Sequence, residues 1–224
     1  MLNACALKAF QQGLAYETTN DATGKLIPNN RDHYKIVIAT DNPDIISITT
    51  EKRLAEQALE EYEKQIEYGI KVFSFVQPVE NPDIIIKFVD SDPYFTDNIL
   101  AYAGYPNGSL RGRLVFNNKF VWLDGYPKTG AELRKLGVEL PGMRDYYSYQ
   151  TYNVRQTIKH EIGHNLGLQH SIEDESVMNA YYGVDRIMFG DIDKFQLNLK
   201  YGKAGMTKRA KPDSYIKSVM RRKI

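Results

Sequence analysis

The eleven residues His160-Glu161-Ile162-Gly163-His164-Asn165-Leu166-Gly167-Leu168-Gln169-His170 restrict this chain more than any other stretch. On an α-helix, residues four apart stack on one face, so His160 and His164 present two imidazoles to one ion with Glu161 at the edge of the site. Val154, Ile158, Ile162 and Leu166 repeat every four residues on the opposite side, which predicts an apolar face for the core and a ligand face for a cleft. Gly167 is free to take the positive φ that ends a helix and turns the chain back, bringing His170 in as a third ligand. Three neutral imidazoles leave the fourth tetrahedral position open to water, as in catalytic zinc sites, whereas structural sites close it. Zinc lowers the pKa of such a water, and Glu161 is placed to take its proton. A lone histidine here would read as a core residue. Three with this spacing do not, and a purely structural zinc staple has no use for Glu161.

The residues that follow narrow the pattern. Ser171 comes directly after the third histidine, and Ser176-Val177-Met178-Asn179 places a methionine eight positions beyond His170. With these, the chain resembles the matrixin branch of the metzincin zinc metallopeptidases. The resemblance implies that Met178 forms a hydrophobic floor beneath the metal. It also implies that Tyr182, four residues on, lines the pocket for the side chain after the scissile bond, although Ala180 stands where the family usually has proline. Asp193 and Tyr201-Gly202 fall where matrixins carry similar residues. The implied fold is α/β (α+β): a twisted mixed sheet of about five strands with an antiparallel edge strand, a long backing helix, an active-site helix and a C-terminal helix. The implied activity is zinc-dependent endopeptidase, with protein or peptide as substrate. A metzincin-fold zinc protein with a structural or assembly role stays open beside it.

The remainder of the chain sets limits. Its 224 residues suit one domain with extensions. There is no apolar run near the length of a membrane span and no Gly-rich phosphate loop, which argues against a membrane-spanning protein and a nucleotide enzyme. Histidine occurs only at 33, 160, 164 and 170, so the second, histidine-rich zinc site of many matrix metallopeptidases cannot be assembled. Cys5 is the only cysteine, which excludes an internal disulfide. It reads as a small buried hydrophobe, with a latency plug as the alternative. Calcium is compatible with the acidic residues Asp90, Asp92 and Asp124, though no spacing there is diagnostic. The resemblance suggests an extracellular protein. No export signal is visible, and a virus particle stays open.

Residues 1–32 read as an N-terminal extension with a potential latency role, 33–202 as the catalytic domain and 203–224 as a basic tail. The tail holds eight Lys or Arg against one Asp, enough to contact an acidic partner. It lacks the aromatic interleaving of single-strand binders, so nucleic acid is not the expected partner. Residues 33–40, 72–76 and 84–89 read as strands, the last a continuous apolar run suited to a sheet covered on both faces. A helix follows the first strand, with Leu54, Ala58, Tyr62 and Ile66 as its stripe and Thr50 as its cap. Ala101 to Gly108 reads as loop. The resemblance implies that Leu114-Val115-Phe116 is an edge strand that accepts substrate, followed by a last strand carrying Trp122; the residues by themselves leave open an internal hairpin with no open edge. Residues 124–148 read as a long loop and Asp191 as the start of a final helix.

Overall fold

Short apolar runs from the first half of the chain meet in one mixed sheet. The computed structural model describes residues 4–8, 33–39, 48–65, 73–76 and 81–201, apart from positions 97, 107, 126, 127, 136, 138, 140, 141, 147, 150 and 172. The strands are β1 (Ala4–Lys8), β2 (Tyr34–Ile38), β3 (Phe73–Phe75), β4 (Ile84–Val89), β5 (Ile99–Gly104) and β6 (Arg113–Asn117), in the spatial order β1-β5-β6-β4-β2-β3. The strands β3, β2, β4 and β6 run parallel to one another. β5 runs antiparallel to β6, and β1 antiparallel to β5. Parallel neighbours need a crossover, and helix α1 (Ile48–Gln65) supplies one between β2 and β3. It starts two residues before Thr50, which therefore lies inside the helix and not at its cap. The end expected at Gly69 lies outside the described residues.

The five strands β2 to β6 make the mixed sheet with an antiparallel edge strand that the sequence implied. β1 adds a sixth, which the reading of 1–32 as an extension did not anticipate. Ile36, Ile84, Ile86, Leu114 and Phe116 pack on one face with Val154, Ile158 and Ile162 of the helix that follows. Each such side chain, removed from water, contributes roughly 1.5–3 kcal/mol. Phe88 stacks on Phe116 at 4.4 Å, and Trp122 meets Phe116 edge-on while its indole N–H donates to the Asn117 carbonyl at 3.0 Å.

Three expectations are corrected here. Leu114, Val115 and Phe116 lie in β6, which is hydrogen-bonded to β4 on one side and β5 on the other, so they cannot offer an open edge. The edge of the five strands is β5, built from the first part of the stretch expected to be loop. Its alanines explain the misreading, since alanine has low strand propensity. Ala101 and Ala103 are fully buried in the core, in the strand against which the active-site helix packs. Trp122 lies in β7 (Val121–Leu123), which leaves the main sheet and pairs in parallel with β10 (Thr151–Asn153). The 124–148 connection is also more ordered than a loop. It contains β8 (Lys128–Thr129), α2 (Gly130–Lys135) and β9 (Ser148–Tyr149), and Arg134 clamps it through Asp145 and the Met143 carbonyl. The basic tail lies outside the described residues. No described helix is long and apolar enough to cross a membrane.

Candidate metal centre

Helix α3 (Val154–Leu166) carries the centre, and both its ends are specified by sequence. Asn153 is extended at the start, and its side chain accepts from the Gln156 N–H at 3.1 Å. At the other end Gly167 sits at φ 104°, a left-handed conformation that few other residues tolerate. The Gly167 N–H reaches the His164 carbonyl at 3.0 Å and the Leu168 N–H reaches the Gly163 carbonyl at 2.8 Å, the paired closure of a Schellman motif. This reversal carries the chain to His170. The predicted stripe, Val154, Ile158, Ile162 and Leu166, is buried. The ligand face is buried as well: His160, Glu161 and His164 are 0% exposed and His170 is 4%. Helix α1 and strands β1, β5, β6 and β10 all contact α3.

The three histidines converge. Their ring centroids lie 4.7, 4.9 and 5.4 Å apart, and one ligand nitrogen from each falls within 4.8 Å of the others. His160 Nδ1 is 2.7 Å from the Val177 carbonyl, and His164 Nδ1 is 2.8 Å from the Leu168 carbonyl. A carbonyl only accepts, so each Nδ1 carries the hydrogen and each Nε2 presents a lone pair. Those two Nε2 atoms stand 3.0 Å apart. Two lone pairs facing at that distance repel unless a cation lies between them. A tetrahedral zinc spaces its nitrogen ligands by roughly 3.3 Å, so the donor set fits zinc. The carbonyls of Val177 and Leu168 are the orienting partners that metal-bound imidazoles require. Sequence reasoning missed them because a main-chain acceptor leaves no residue-type signal.

Met178 is fully buried in the turn after His170. The Ser171 N–H donates to its carbonyl at 2.8 Å, and its own N–H donates to Ser176 Oγ at 2.9 Å. Ser176 Oγ also donates to Asp193 Oδ2 at 2.5 Å, which ties the turn to α4 (Asp191–Tyr201). Burial pushes the Asp193 carboxyl up to about 7 and neighbouring Glu173 adds to this, against the pull of the Ser176 hydroxyl and the Gly190 N–H. Glu173 accepts from the Ile192 N–H at 3.2 Å, a carboxylate at the positive end of α4. The chain Asp193–Ser176–Met-turn–Val177–His160 therefore links the last helix to a ligand ring.

Tyr182 does not stand open to a pocket. It is 6% exposed, packs edge-on against Tyr152 at 5.0 Å, and its hydroxyl accepts the Asn153 N–H at 2.9 Å. Tyr105, unremarked in the sequence, sets its ring 5.4 Å from that of His164. Positive charge on α3 is neutralised away from the histidines. Lys159 Nζ bonds Glu61 of α1 at 2.6 Å and the Ile187 carbonyl at 2.5 Å, and Arg155 bridges Glu61 and Asp124. A cavity of about 430 Å³ beside these charges contains none of the three histidines. Asp90 accepts from Asn118 and Asp92 from the Tyr94 N–H. Among the described residues, Asp90, Asp92 and Asp124 do not form a metal-holding cluster, and the histidine trio does.

The sequence pattern of the matrixins matches residues 28–198. A similar protein is a matrilysin from Felis catus, 31% identical over 139 residues, which are 57% of this chain and 44% of the relative. The match thus spans less than half of that relative's length.

Proposed function

The chain belongs to the matrixin family, and from that premise we propose that it is a zinc-dependent endopeptidase acting on protein or peptide chains, with residues 33–202 as the catalytic domain. The observation that carries this reading is the convergence of His160, His164 and His170, with Glu161 one residue along from the first ligand. On this reading the three imidazoles hold zinc through lone-pair nitrogens whose tautomers are fixed by main-chain carbonyls. Zinc held there supplies Lewis acidity, polarising a carbonyl oxygen and bringing the pKa of a water toward neutrality. Glu161 takes the proton from the attacking water and delivers it to the departing amine nitrogen. Its burial keeps bulk water out of that transfer. Met178 closes the site from below, held in place by Ser171 and Ser176 and, through Ser176, by Asp193.

Glu161→Gln separates chemistry from metal binding. The variant is expected to retain one zinc per chain and to cleave a casein-type substrate about 10²–10⁴-fold more slowly. Activity of the parent should vanish with a chelator and return with added zinc. Zinc held stoichiometrically by a parent protein that cleaves nothing would instead support the structural or assembly role.

A further inference from the structure

The cavity of about 430 Å³ beside Lys159 and Arg155 is lined by neither Glu161 nor Tyr182, so it is distinct from the histidine centre and from the pocket wall that the resemblance implied. Its volume falls within the range of small-molecule sites, roughly 300–1,000 Å³. Five charged side chains line it, the cations Lys64, Arg155 and Lys159 against the carboxylates of Glu61 and Asp124. Both carboxylates are already engaged. Glu61 meets Arg155 at 3.3 Å and Lys159 at 2.6 Å, and Asp124 meets Arg155 at 3.2 Å. Lys159 is fully committed between Glu61 and the Ile187 carbonyl. Lys64, one turn along α1 from Glu61, is exposed and has no ion-pair partner among the described residues. Arg155 gives one terminal nitrogen to each carboxylate, although a guanidinium carries five N–H donors. The lining therefore holds one uncompensated positive charge together with spare guanidinium donors.

Ile187, Met188 and Phe189 form an apolar wall of the same cavity. Its main chain is anchored: the Ile187 carbonyl accepts from Lys159 at 2.5 Å, and the Met188 carbonyl accepts the Val177 N–H at 2.7 Å. Its side chains are less committed, since Ile187 and Met188 are among the exposed large apolar residues. An occupant with an apolar body would remove that surface from water. A neutral occupant would desolvate Lys64 without pairing it, and a dianion would bring one negative charge too many beside Glu61 and Asp124. A single negative charge balances the lining.

We infer that this cavity binds a monocarboxylate with an apolar body, its oxygens held by Lys64 and Arg155 and its body lying on Ile187 and Met188. Two sources supply that chemistry, a free small acid and the C-terminal carboxylate of a peptide ending in an apolar residue. The inference stands apart from the peptidase reading, because it involves neither the histidines nor Glu161.

The test is equilibrium dialysis of radiolabelled hexanoate against the zinc-loaded full chain, which should bind it saturably. Lys64→Glu changes an exposed residue of α1 outside the proposed catalytic centre and should weaken binding at least about tenfold, as expected for a lost charge-assisted hydrogen bond. Asp124→Asn relieves one carboxylate of its charge and releases a nitrogen of Arg155, so it should strengthen binding about threefold. If Lys64→Glu fails to fold, Lys64→Gln should weaken binding in the same direction, by about threefold or more. Hexanoate that binds equally to the parent and to the folded Lys64 variants would be sitting on the metal or elsewhere, and would overturn the inference. So would a parent that binds none. N-acetyl-alanyl-leucine separates the sources: competition with hexanoate assigns the site to chain ends as well, and no competition assigns it to free acids. Competition by the C-terminal amide of that peptide as strong as by its acid would overturn the inference, since the charge would then not be read.

Discussion

Helix α3 and strand β5 are adjacent walls of one site and are held by opposite means. α3 is fixed by particular side chains: Asn153 caps its start, Gly167 shapes its end, Lys159 and Arg155 tie it to Glu61, and main-chain carbonyls orient its histidines. The outer side of β5 is paired by a main-chain ladder with a short, distant strand. The contrast teaches that the helix carrying the histidines is fixed by side-chain contacts specific to its residues, whereas the edge beside it is paired through main-chain groups that are alike in every strand.

The strongest probe of the frame is pH. Asp193 has its carboxyl pushed up to about 7 by burial, so between about pH 4 and 7 the folded state keeps a proton that the unfolded chain has released. Stability should therefore fall as pH rises through that window, by up to about 4 kcal/mol at about 1.4 kcal/mol per pKa unit. Asp193→Asn should lose this slope, as urea unfolding of both proteins at pH 4, 5.5 and 7 would show. Equal slopes would mean that the link from α4 to the Met-turn is no part of a tuned frame.

Next is the end of β5, where the edge itself is rigid. A Cβ on Gly104 would lie 1.9 Å from the Leu110 carbonyl oxygen, which is backbone and cannot swing aside. Gly104→Ala should cost about 3 kcal/mol in urea unfolding. A cost below about 1 kcal/mol would show that the strand yields along its length and not only on its outer side. Glu61→Gln weakens two ion pairs to α3 and should cost about 2 kcal/mol, less than a fully buried pair because Glu61 is partly solvated. The smallest effect is at the helix start: Asn153→Ala should lower the unfolding free energy by about 1 kcal/mol, with zinc affinity nearly unchanged. A large loss of zinc there would mean that the cap, and not the carbonyl partners, sets the ligand geometry.

What could be read from sequence follows the range of the interactions involved. The positions of His160, Glu161 and His164 on one helix, the stop at Gly167 and the return to His170 are dictated within eleven residues by helical spacing and one left-handed glycine. Runs such as Ile84-Ile85-Ile86 declare themselves as buried strand because no other local structure accommodates them as well. β5 was hidden because its alanines carry little strand signal and are explained only by what packs on them. The resemblance assigned Tyr182 to a pocket wall; in the structure its hydroxyl accepts the Asn153 N–H. The polar face of α3 was expected in a cleft, and the enclosure of that face depends on elements from four other parts of the chain.

The sequence by itself determined the candidate site of this protein: the three histidines, the neighbouring carboxylate and the helix that spaces them, since each depends on residues a few positions apart. Only the tertiary structure decided which strand is the edge and what lies along it. Strand order in a sheet is chosen by pairing between segments tens of residues apart, whose hydrogen bonds are identical in kind wherever they form and leave no mark on the side chains.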